Sequence, residues 1–280
     1  MDYEFWHRER KIRHRALGLM WCQIHNETSG NHLEPIDLNR AHIQTAPLSL
    51  DGNAQILPQF FAKYDKEIPY CLEWWEDESM RFLNQPPIPD RPDRNSDALS
   101  RFLKNHFRDC FFYNKQHYPA TMTTSPAWGA TGTLHEFRGG YEWWVDSVAH
   151  MSDDHSLEKA DLQYPHLKAL MRTPVIADDR LLRSEILTLV TLTASRLRKK
   201  KLCPHIIPPV FLISIVGQRH ARVLESHYDG KTLIVRKTQF LDFTKENVEL
   251  TQLLAQYWCG PPKGQTELVE PDAIQSTGAS

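Results

Sequence analysis

VFLISIVGQRHARVLESHYDGKTLIVRKTQFLDF, residues 210–243, decides how this chain folds. VFLISIV is a short, unbroken apolar run rich in β-branched residues, which suits a strand covered on both faces. Gly217-Gln218-Arg219 turns the chain. HARVLESHY and KTLIVRKTQF then flank Asp229-Gly230, a pair suited to a two-residue type I′ turn. The stretch predicts an antiparallel β-meander. That turn would set Tyr228 opposite Lys231, Glu225 opposite Ile234 and Leu224 opposite Val235. Side chains alternate along a strand, so Leu224, Leu233 and Val235 share one face. Glu225, His227, Thr232 and Arg236 share the other, with Val223 and Ile234.

Helices surround this core. DDRLLRSEILTLVTLTASRLRKKK carries an apolar stripe through Leu182, Ile186, Leu189, Val190 and Leu197. Asp178 or Asp179 can cap its start, and Arg198 to Lys201 sit at the end favoured for cations by the helix dipole. VELTQLLAQYWC, inside a helix expected over 246–259, is amphipathic, and Gly260-Pro261-Pro262 ends it. Residues 98–113 place Leu99, Phe102, Leu103, Phe107, Cys110 and Phe111 at helical spacing. Residues 3–27 and 70–83 predict two more helices, and 28–55 reads as an irregular connection.

The strand, Gly217, His220 and Arg222, Asp229-Gly230 with Leu233 and Arg236, and a helix bearing Tyr257-Trp258 and Gly260 form a pattern. It resembles a C-terminal block in a broad set of filamentous-fungal proteins. The resemblance covers the last third of the chain. It implies a fungal source and this architecture, with no activity, cofactor or catalytic residue attached.

Punctuation divides the rest. QPPIPDRPDRNSD, residues 85–97, has four prolines in seven residues and favours an extended linker or surface loop. The expected organisation is a helical N-terminal portion (1–84), this linker, an α+β unit (98–262) and a small, polar, disordered tail (263–280). The fold class is α+β: a mainly helical N-terminal portion with a small C-terminal antiparallel meander packed by helices.

Composition narrows the function. The 280 residues are 41% hydrophobic and 24% charged, with a net charge of −2, so whole-molecule attraction to nucleic acid or anionic membrane is not expected. Five widely spread cysteines contain no C-x-x-C pair, which argues for a reducing compartment. The charged start MDYEFWHRERKIRHR is unlike a signal peptide, and no apolar run approaches the ~20 residues that span a bilayer. A cytoplasmic or nuclear protein without membrane partners follows.

Several constellations invite chemistry. Glu185, Glu225 and Asp229 could hold a magnesium ion as in a diverged nuclease or hydrolase, with Lys231 or Lys237 orienting a nucleophile. FLISIV carries no acid and the E-x-K spacing is absent, and Asp229 is explained by its turn. His150, Asp153, Asp154 and His155 pack four possible metal ligands into six residues, a pattern that also makes a helix cap. Cys22-x-x-His25 with His32 lacks a completing pair. No metal or other cofactor is expected. The basic runs RERKIRHR (8–15) and RLRKKK (196–201) suit phosphate contacts or a solvated helix face. On the meander, His220, Arg222, Glu225, His227 and Arg236 crowd one region and form the candidate binding site, for a protein or peptide partner. A non-catalytic partner-binding protein is the leading expectation. The metal-dependent enzyme and a nucleic-acid contact through the N-terminal helix are the alternatives.

Overall fold

The computed structural model describes residues 3–28, 30–52, 55–65, 68, 85–117, 127–130, 143–152 and 164–267. The expected helix at 70–83 and residues 268–280 of the expected tail lie outside them.

The meander is the middle of a larger object. Strands β1 (Ile43–Pro47), β2 (Ala127–Ala130), β3 (Trp144–Ser152), β4 (Leu167–Thr173), β5 (Val210–Val216), β6 (His220–Tyr228), β7 (Leu233–Lys237) and β8 (Leu241–Asp242) form one eight-stranded sheet. Its order is β1-β7-β6-β5-β4-β3-β2, with β8 pairing the start of β6. The β1–β7 and β4–β5 pairs are parallel and the others antiparallel, so the sheet is mixed.

Both faces are covered. The helices are α1 (Tyr3–Glu27), α2 (Pro35–Arg40), α3 (Pro92–His117), α4 (Arg183–Leu197) and α5 (Val248–Cys259). Leu17, Met20 and Ile24 of α1 and Ile186, Leu189 and Val190 of α4 pack on Leu212, Leu224 and Val235. Leu99, Phe102 and Phe107 of α3 and Leu254, Tyr257 and Trp258 of α5 pack on Phe211, Ile213 and Val223. Alternate residues of β5 feed opposite cores, which is why all seven are buried and why the strand reads as continuously apolar.

The fold remains α+β, but its expected division fails. The N-terminal part is not mainly helical: past the long α1, its described residues give the six-residue α2 and a strand, β1, that pairs in parallel with β7. Nor is the sheet a small meander, because β1 to β4 extend it on both sides. IQTAP carries no clear strand pattern because a short edge strand needs only one buried anchor, here Ile43. LKALMRT, the central β4, is made mostly of good helix formers, and burial between neighbours overrides propensity.

The hairpin register also differs. Tyr228 faces Leu233 and Glu225 faces Arg236, two residues from the expected pairing. Asp229 Oδ1 accepts from the amides of both Lys231 (2.7 Å) and Thr232 (2.8 Å), and Asp229 N donates to Thr232 O. The loop therefore has four residues, with Gly230 at φ +111°. A two-residue shift preserves which side chains share a face.

Helix α3 starts at Pro92, inside the segment expected to be extended, because Pro suits the first helical turn. Arg219, fully buried in the β5–β6 turn, donates to the carbonyls of Gln85 (2.6 Å) and Pro86 (3.3 Å) and ties this segment to the sheet.

Candidate functional site

The five candidate residues of the meander divide between the two faces. Arg222 points toward α4. Its guanidinium grips Glu185 through Nε (2.8 Å) and Nη2 (2.5 Å), donates to Arg180 O, and lies over the Phe240 ring. Glu185 in turn accepts from Leu182 N at 2.8 Å and so caps α4. Asp178 does not cap that helix; it accepts from Arg180.

Glu225 and Arg236 occupy the other face. Glu225 accepts from the amides of Gln59 (2.8 Å) and Phe60 (2.7 Å) and from Arg236 Nη1 (3.0 Å). Arg236 also donates to Leu57 O and Gln55 O. This pair latches segment 55–61 onto the sheet. Burial pushes the Glu225 carboxyl up, and its two amide donors and Arg236 pull it back. His227 lies beneath the Phe60 ring, centroids 4.9 Å apart, and burial lowers its pKa. His220 is more open, 4.0 Å from Asp242.

The metal-enzyme alternative required Glu185 and Glu225 to converge. They sit on opposite faces of the sheet, each with its own arginine, so they do not share an ion. Among the described residues no three His, Cys, Asp or Glu side chains could hold a metal ion. His150 lies on β3, and burial, with Arg196 and Lys199 nearby, takes its pKa to about 4. Asp153, Asp154 and His155 lie outside the described residues. Cys22 is exposed, His25 stacks on Trp21, and His32 faces Asp178.

The two basic runs meet. Arg10 is buried on α1, and its guanidinium donates to the carbonyls of Arg196 (2.9 Å), Leu197 (2.7 Å) and Lys199 (2.9 Å), and also to Leu202 and His205. A cation from the N-terminal helix thus satisfies the carbonyls at the C-terminus of α4. Arg13 follows one turn later, reaching Tyr228 O at 3.0 Å. The outward residues Arg8, Lys11 and Arg15 of α1 and Arg198, Lys199, Lys200 and Lys201 after α4 are all exposed. His14 lies between the groups: burial, then the charge of Arg198, lowers its pKa. The result is one positive surface, built from two runs, on a chain of net charge −2.

Two buried groups had no mark in the sequence. Lys168, wholly buried on β4, donates to the carbonyls of Tyr257 (2.7 Å), Trp258 (2.8 Å) and Gly260 (2.7 Å) at the end of α5. Burial pushes its pKa down. Three acceptors need three N–H donors, so the ammonium form fits this geometry. His166 Nε2 donates to Lys263 O (2.9 Å), and burial takes its pKa to about 3.

No helix among the described residues is long and apolar enough to cross a membrane. No family model matches the chain, and neither a curated protein nor a solved structure is similar to it.

Proposed function

We propose that this protein acts by binding rather than by chemistry, and that its contact surface is the composite basic face of α1 and the end of α4, taking the phosphate backbone of a nucleic acid. The observation that carries this reading is the Arg10 clasp, which sets two basic runs side by side. None of Arg8, Lys11, Arg15, Arg198, Lys199 or Lys200 is in an ion pair among the described residues, so their charge is available to an anionic partner. Glu185 and Glu225, the two acids that a shared metal would need, hold α4 and segment 55–61 to the sheet instead, which favours a binding role. A cytoplasmic or nuclear location suits such a partner, and the meander block supports a fungal source.

The test is fluorescence anisotropy with a labelled 20-base-pair duplex, and with a single strand of the same sequence, at increasing NaCl. Four neutralised phosphates would weaken binding by roughly 100-fold between 50 and 200 mM salt. Charge reversal at either half, R8E/K11E or K199E/K200E, should reduce both affinity and salt slope. Absent or salt-insensitive binding refutes the proposal.

A further inference from the structure

A second surface is apolar and sits where the sheet ends. Strand β1 closes the order β1-β7-β6, with Gln44, Thr45 and Pro47 exposed. Its bonds to β7 begin with Leu233 N donating to His42 O (3.0 Å) and end with Leu48 N donating to Lys237 O (2.8 Å). In a parallel ladder bonded at 42 and 48, the even-numbered residues between them turn their backbone groups to β7. The amides and carbonyls of Ile43 and Thr45 therefore point off the sheet.

Directly beyond, at the carboxyl ends of β1 and β7, is a groove of about 580 Å³. Leu48, Ile56, Leu241, Leu250 and Leu253 give it an aliphatic lining. Its ionisable residues are Asp51 and Lys237. Lys237 is already held by the carboxylate of Asp179 and by Asp179 O (2.8 Å). The groove thus offers no uncommitted cation to a phosphate or carboxylate, while Asp51 places a negative charge at its rim.

We propose that the β1 edge and this groove together dock an extended peptide from a partner protein, one carrying an aliphatic side chain followed by a basic residue. Backbone pairing to Ile43 and Thr45 supplies the affinity common to strand addition, and the groove and Asp51 select the side chains. Pro47 has no N–H to offer, so pairing stops after a few residues. The same residue discourages copies of the chain from joining edge to edge.

The probe is a capped, fluorescein-labelled heptapeptide alternating Thr and Val, with a central Leu followed by Lys, titrated into the full chain at 150 mM NaCl. Saturable binding is expected. It should weaken at least 10-fold on N-methylation of the peptide's pairing residues, on replacing its Leu by Ser, and in Leu253→Trp, which fills the groove. Thr45→Pro, on the exposed edge, removes the outward N–H without touching the core and should have the same effect. R8E/K11E should leave peptide binding unchanged, which separates this site from the basic face. Lack of saturable binding, or binding indifferent to N-methylation and to both variants with their circular dichroism intact, overturns the proposal.

Discussion

Arg222 and Glu185 are both at most 1% exposed, and each is the other's counter-charge. Removing one member of such a pair leaves a buried charge without compensation. Arg222→Ala should therefore cost about 3–5 kcal/mol in urea unfolding. Arg222→Lys should recover only part of that, because an ammonium cannot reproduce the two-pronged contact. Gly260 gives a second residue-level prediction. A Cβ there would lie 2.0 Å from Ala62 O and 2.8 Å from Tyr64 N. The obstacle is backbone on both sides, so Gly260→Ala should destabilise by about 3 kcal/mol, the upper end for overpacking, in the same measurement.

At the level of elements, Arg10 holds α1 to α4. Arg10→Ala would leave several carbonyls at the end of α4 unpaired, each worth about 1 kcal/mol or more when buried. Hydrogen exchange should then quicken in α1 and in 196–205 while β5 and β6 stay protected. Uniform loss of protection would contradict a local role. The elements differ in how plainly the sequence announced them. α1 matches its expected span, and β5 follows from an apolar run too short for anything but a strand. β1 and β4 were not legible. One has a single inward anchor, and the other carries Lys168, whose three acceptors come from a helix ninety residues later. The candidate site was misleading for a related reason. A period-two pattern assigns Arg222 and Glu225 to opposite faces, yet their partners, Glu185 and segment 55–61, come from elements whose docking no local pattern encodes.

For the whole molecule, buried neutral histidines set the response to acid. Burial lowers His106 and His150 to about 4 and His166 to about 3, all below the ordinary 6.5. The unfolded chain therefore takes up these protons first. Their stabilising contribution is complete above pH 6.5 and declines as the pH falls toward the folded values. Stability at pH 5 should be lower than at pH 7.5, with His166 alone accounting for about 2 kcal/mol. The urea midpoint at the two pH values checks this, and His166→Asn should flatten the difference. A midpoint unchanged between them would show that these rings are solvated.

The Arg10 clasp also has a consequence for the time at which the molecule can be completed. Arg10 and Leu197 are 187 residues apart, and β1 likewise waits for β7. At roughly 5–20 residues per second, α1 leaves the ribosome about 10–40 s before its acceptor carbonyls exist. During that interval its apolar stripe of Leu17, Met20 and Ile24 and its cluster of arginines are uncovered together. A newly made N-terminal segment of this kind is a substrate for chaperones, and the last strands to be synthesised are what withdraw it from them.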